Sequence, residues 1–157
     1  MYYFAYGSNM DEKDLNKWCK KNKRSYPAWK LLGIAHLENY ELTFNYYSIG
    51  RKGGAANLME VPDSKVYGLL YEIENEDDLE TIRCKEGYPK YYEEILVTVK
   101  CPGENIRNVK TYKVVKEKEK SKHQKPTTNY LELIVKNARI NCFPAEYIQC
   151  LEKTETQ

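Results

Sequence analysis

The chain has 157 residues, 41% of them hydrophobic, which suits one domain with a single sizeable core and no need of metals or disulfides. Lys and Arg number 25 against 23 Asp and Glu, and the resulting charge of +2, spread along the chain, gives no ground for nucleic-acid binding. Five cysteines leave an odd thiol in any pairing scheme, include no Cys-x-x-Cys, and have only His36 and His123 beside them, so neither a disulfide framework nor a zinc site is expected.

Residues 2–5 read as a short buried strand that runs straight into Tyr6-Gly7-Ser8-Asn9-Met10. A Gly-Ser-Asn turn is either a plain strand ending or a nest that shows several backbone N–H groups to an anion. Residues 11–19 form helical turns, acidic at the start and carrying Lys17 and Lys20 at the end, as the helix dipole favours. Residues 29–37 and 40–45 are β-rich runs parted by Glu38-Asn39, predicting two strands that turn back on one another. Residues 46–54 read as a loop. Its Gly50, Gly53 and Gly54 surround Arg51 and Lys52, but no Gly-Lys-Ser/Thr follows, so a turn leading into a strand is favoured over a phosphate cradle. Two further strands, 55–61 and 65–73, flank a hairpin-like Pro62-Asp63-Ser64 turn.

Residues 74–83 predict a helix with a sparse apolar set, Leu79 and Ile82, that covers one end of a sheet. Strands over 91–100 and 109–115 are joined through Pro102-Gly103-Glu104-Asn105. Residues 116–125 are rich in charge and read as a solvated loop. Thr127 or Thr128 caps a helix through residue 139, with Tyr130, Leu133, Ile134 and Ala138 on one face, and Asn141 stops it. Phe143-Pro144 opens a last helix through residue 151. Strands first, with helices inserted or appended, define an α+β class in one domain over residues 1–157. The 15 tyrosines admit a stacking surface for bases but fit half-buried strand faces better.

Tyr6-Gly7-Ser8-Asn9, Lys52-Gly53-Gly54-Ala55-Ala56-Asn57-Leu58 and Glu86-Gly87-Tyr88-Pro89-Lys90-Tyr91-Tyr92 come in an order that resembles the γ-glutamylcyclotransferase family. The likeness continues through residues 66–73, Pro126-Thr127-Thr128-Asn129-Tyr130 and Phe143-Pro144-Ala145-Glu146-Tyr147, and so spans nearly the whole chain. The helical tail resembles the branch acting on γ-glutamyl amino acids more than its shorter relatives. The resemblance implies a small, mostly antiparallel β-barrel flanked by helices. It also implies a reaction without cofactor or metal, in which the α-amino group of a small γ-glutamyl compound attacks its own γ-carbonyl, releasing 5-oxoproline and an amine.

In that reading Glu86 is the general acid and base, and Tyr6, Gly7, Ser8, Asn9 and Met10 present backbone N–H groups to the substrate. Tyr92 and Tyr130 line the pocket, with Tyr91 the alternative to Tyr92; Gly53, Gly54 and Asn57 support it. Ser8 is not the nucleophile, since neither histidine falls in a matching motif. Two departures stand out: Ile82-Arg83-Cys84-Lys85 replaces an Asp-bearing segment, and Glu93-Glu94 replaces a basic residue. The alternatives are a non-catalytic module that holds a metabolite or peptide end, and a cyclotransferase that removes a γ-glutamyl protecting group in a biosynthetic pathway. With no leader before Met1 and no apolar run of membrane-spanning length, the expectation is a cytoplasmic monomer or homodimer with no membrane or nucleic-acid partner.

Overall fold

A computed structural model describes residues 1–157. Its five strands are β1 (Tyr2–Ala5), β2 (Trp29–Ser48), β3 (Gly53–Ile73), β4 (Tyr92–Cys101) and β5 (Glu104–Val114). They close into a barrel in the order β1-β3-β2-β4-β5. All pairings are antiparallel except β1 with β5, where Tyr2 faces Val109 and Tyr3 faces Lys110. Four helices flank the barrel: α1 (Glu12–Lys21), α2 (Glu76–Glu86), α3 (Thr128–Ile140) and α4 (Ala145–Glu152). The fold is thus the α+β barrel implied by the family resemblance.

The two long strands differ from the sequence expectation of four short ones. Glu38 pairs with Lys65 and Tyr40 with Glu60, so Asn39 and residues 61–64 form a bulge in one continuous ladder. Asn39 and Asp63 both have positive φ, and the Asp63 N–H donates to Asn39 Oδ1 at 3.1 Å. Turn-forming residues here bend two strands instead of ending them. The hairpin between β2 and β3 turns within residues 49–52, inside the segment expected to be a loop. Pro102 and Gly103 alone make the β4–β5 turn, with Cys101 opposite Glu104 and Gly103 at φ 85°.

Helix ends follow from their capping residues. Asp11 caps α1 by accepting from the Asp14 N–H at 2.8 Å, Asn75 caps α2 through the Asp78 N–H, and Thr127 caps α3 through the Tyr130 N–H. Helix α2 runs three residues further than expected and stops at a Schellman motif. There the Gly87 N–H donates to Cys84 O and the Tyr88 N–H to Arg83 O, with Gly87 left-handed at φ 69°. Leu79 and Ile82 are fully buried and hold this helix on the barrel, each contributing about 1.5–3 kcal/mol. On α3 the buried face is Tyr130, Leu131, Ile134, Val135 and Ala138; Leu133 is only half-buried.

Residues 116–125 are not a free loop. They form a strap across β2 and β3, in which the Lys120 N–H donates to Asn45 O and the Gln124 N–H to Phe44 O, both at 2.7 Å. The Gly54 N–H donates to Lys125 O at 2.9 Å, and a Cβ on Gly54 would stand 1.8 Å from Gln124 O. Only glycine lets the strap lie that close. The charge of the segment conceals this docking, because the bonds are made by its backbone.

Candidate active site

A cavity of about 900 Å³ opens at the end of the barrel between β1, α1, α2, the β2–β3 turn and the strap. Eight of the 15 tyrosines line it, which gives the unusual tyrosine content a local cause. At its base β1 ends, and the chain makes a single 3-10 turn over Ser8–Met10. The Met10 and Asp11 N–H groups are consumed within this turn by Gly7 O and Ser8 O, at 3.1 and 3.0 Å. The Gly7 N–H has no acceptor in the protein, and those of Ser8 and Asn9 sit where first-turn groups lack intrahelical partners.

The same turn and the last turn of α2 bring polar side chains together. Asn9 Nδ2 donates to Glu86 Oε1 at 2.6 Å and to the Tyr3 hydroxyl at 2.9 Å, while Asn9 Oδ1 accepts from Lys85 Nζ at 2.6 Å. Lys85 has only donors, so it fixes which way the Asn9 amide faces. Its ammonium also donates to Ser8 Oγ at 3.3 Å and Asp14 Oδ2 at 3.0 Å, completing its three bonds. Arg51, from the β2–β3 turn, grips Asp14 with two bonds of 2.9 and 2.7 Å and lies over the Tyr130 ring, 5.0 Å from its centroid. One carboxylate from α1 thereby neutralises two cations from distant elements.

Glu86 ends α2 with its Oε1 bound to Asn9, and its Oε2 has no donor in the protein. Every fully buried side-chain oxygen in the chain is bonded, so Oε2 faces the cavity. Burial pushes the Glu86 carboxyl from the ordinary 4.5 up to about 7, against the opposing pull of Lys85, Arg51 and the Asn9 bond. The negative end of the α2 dipole acts in the same direction as burial. Lys85 beside it in sequence therefore tempers the rise without reversing it. For Lys85 itself burial moves the ammonium downward, with the Asp14 charge holding it up. A carboxyl near neutrality, with one oxygen anchored and one free, can both take up and return a proton at pH 7.

The tyrosines divide by what their hydroxyls do. Tyr6 donates to Tyr112 O at 2.6 Å and Tyr92 to Ala56 O at 2.8 Å, so both protons are committed to the barrel. The Tyr130 hydroxyl instead accepts from the Ala56 N–H at 3.2 Å, which leaves its own proton without an acceptor. It is close to the turn: a methyl on Gly7 would stand 3.7 Å from the Tyr130 oxygen. Tyr91 also lines the cavity, and the Lys90 and Lys118 ammoniums lie over its ring.

Of the residues expected from the sequence, Tyr6, Gly7, Ser8, Asn9, Glu86, Tyr92 and Tyr130 border this one cavity. Met10 does not. Its side chain is 4% exposed in the core and its N–H is spent on Gly7 O, so it supports the turn from behind. Gly54 and Asn57 hold the strap and the β5 end: Asn57 Nδ2 donates to Glu119 Oε1 at 3.1 Å, and its Oδ1 accepts from the Val114 N–H at 2.8 Å. Sequence reasoning missed Asp14, Arg51, Lys118 and Lys120, which approach only through the barrel's closure. Arg51 lies in the 46–54 segment, read as a turn leading into a strand in preference to a phosphate cradle, and no local pattern pairs it with Asp14, 37 residues away.

A family profile described as AIG2-like matches residues 65–151. The chain belongs to this family, within the γ-glutamylcyclotransferase-like group of proteins. A solved structure named gamma-glutamyl cyclotransferase is 25% identical over 100% of this chain and 89% of its own, with a TM-score of 0.81. An uncharacterised protein of Homo sapiens is likewise 25% identical, over 99% of this chain and 88% of its own, at a TM-score of 0.81. YkqA of Bacillus subtilis shares the fold at 23% identity and a TM-score of 0.79, over 100% of this chain but 56% of that one. No curated protein matched the sequence.

Proposed function

We propose that the protein is a γ-glutamylcyclotransferase that converts a γ-glutamyl amino acid or γ-glutamyl amine to 5-oxoproline and the free amine. The observation that carries this reading is Glu86: a carboxyl raised to about 7, bonded to Asn9 through one oxygen and open to the cavity through the other. Glu86 takes a proton from the substrate's α-ammonium, and the freed amine attacks the γ-carbonyl carbon to form the lactam C–N bond. The old amide C–N bond then breaks as Glu86 returns the proton to the departing nitrogen, and the second proton that the ring nitrogen sheds on becoming the lactam N–H ends on the released amine, which leaves as an ammonium. No water is consumed, and the enzyme ends as it began.

Holding the folded-back substrate supplies part of the roughly 7–11 kcal/mol available when both reacting atoms are pre-oriented. The uncommitted Tyr130 O–H and Gly7 N–H, side by side at the cavity wall, are the donors for the carboxylate or for the developing oxyanion. A single oxyanion donor is worth about 10²–10³ in rate. The test is 5-oxoproline release, followed by mass spectrometry, from a panel of γ-glutamyl amino acids, γ-glutamyl amines and glutathione. Release from at least one compound supports the reading. Binding of a panel member by the folded protein without any release would favour a non-catalytic binding module.

A further inference from the structure

The cavity holds the molecule's excess positive charge. Six cationic side chains line it, Lys17, Lys21, Arg51, Lys85, Lys118 and Lys120, against the carboxylates of Asp14 and Glu86, in a chain whose formal charge is only +2. Arg51 and Lys85 are paired with Asp14, at 2.7 and 3.0 Å. The other four lysines have no carboxylate within ion-pair distance, although elsewhere on the strap Lys116 and Lys125 do.

Those four come from two separate elements that border the cavity. Lys17 and Lys21 stand four residues apart on α1, on one helix face, where like charges repel each other although the last turn by itself favours a cation at Lys21. Lys118 and Lys120 are on the strap, which backbone bonds fix to β2. Trp18, Tyr46, Tyr47 and Tyr91 border the same cavity. An anion entering here would meet ammonium groups from both elements and relieve their repulsion.

A γ-glutamyl head group carries its α-carboxylate and α-ammonium to the Glu86 end, so what remains of the substrate meets the lysines. We infer that the departing half is acidic: the preferred substrates are γ-glutamyl compounds whose leaving amine bears two carboxylates, the class of γ-glutamyl-glutamate and short γ-linked glutamate chains. This rests on the cyclotransferase reading and specifies its substrate. The products are 5-oxoproline and the free acidic amino acid or the shortened chain. A leaving half that ends in an ammonium, as in a γ-glutamyl-lysine isopeptide, would be repelled.

The test compares γ-glutamyl-glutamate with γ-glutamyl-glutamine, which have nearly equal volume and differ by one charge. Initial rates of 5-oxoproline formation at low substrate give kcat/KM for each. At low salt a preference of at least about tenfold for γ-glutamyl-glutamate is expected, as several partly screened charge pairs would supply. It should shrink as salt rises and approach parity in a Lys118→Gln/Lys120→Gln variant. Calorimetric binding of both dipeptides to the Glu86→Gln protein gives the preference without turnover. Equal rates for the two dipeptides would overturn the inference and leave the cyclotransferase standing. If no compound yields 5-oxoproline the cyclotransferase reading fails, and equal binding, or binding of neither, would then overturn the acidic preference as well.

Discussion

Two tyrosines that look alike in the sequence have different tasks because of one hydrogen bond each. Tyr92 gives its proton to Ala56 O and Tyr130 takes the Ala56 N–H. Tyr92→Phe removes a barrel bond and should cost stability by about 1 kcal/mol with a smaller effect on turnover. Tyr130→Phe removes the acceptor of the Ala56 N–H, at a comparable cost in stability, and also the free donor at the cavity wall, so kcat/KM should fall further than for Tyr92→Phe, by an amount equivalent to about 1.5–3 kcal/mol. Urea unfolding and 5-oxoproline kinetics on both variants would check this, and the reverse pattern would refute the assignment. Glu86 and the glycine turn were readable from sequence because they sit in short contiguous motifs. Asp14, Arg51 and Lys85 were not, since their contacts join positions 37 and 71 residues apart in the chain.

At the scale of elements, the misread turns share a cause. Asn39 and Pro62-Asp63-Ser64 carry turn chemistry, but they face each other across one ladder, where the same left-handed geometry makes a bulge. Local propensity cannot distinguish a turn that ends a strand from one that bends it. The strap was hidden differently: its lysines and glutamates suggest solvent, while its backbone is what docks on β2 and Gly54. Gly54→Ala would drive a Cβ into Gln124 O and should destabilise the protein by about 1–3 kcal/mol, as overpacking does. It should also weaken any acidic-substrate preference, since Lys118 and Lys120 ride on the strap. A lower urea midpoint with the barrel's circular dichroism retained is the expected result; an unchanged midpoint would mean that the strap is not held there.

For the molecule as a whole, ionisation pulls stability in two directions. Burial alone would raise Asp14, but its bonds to Arg51 and Lys85 bring it down to about 2; Glu94, bound by Arg83, Lys110 and Tyr112, also falls to about 2. Both are held below their unfolded values, so the stability they confer is complete above about pH 5 and is lost as pH falls toward 2. Glu86 has the opposite sign. Its carboxyl is raised from 4.5 to about 7 in the folded state, so stability declines as pH rises through that interval and stays lower above it. The melting temperature should peak near pH 5 and fall on both sides, and Glu86→Gln should flatten the decline toward pH 7 while leaving the acid limb. An unchanged neutral limb in the variant would show that Glu86 is not held protonated by burial.

Closure of the barrel places that carboxyl, the free Gly7 N–H and the free Tyr130 proton around one cavity. The most direct measurement is 5-oxoproline formation by wild type and Glu86→Gln on the same γ-glutamyl substrate, with binding measured on both. Gln retains the volume and an oxygen for the Asn9 bond but cannot accept the ammonium proton, so a loss of at least about 10²–10⁴ in kcat with the fold and most of the affinity retained is expected. Full turnover by the Gln protein would contradict Glu86 as the acid and base.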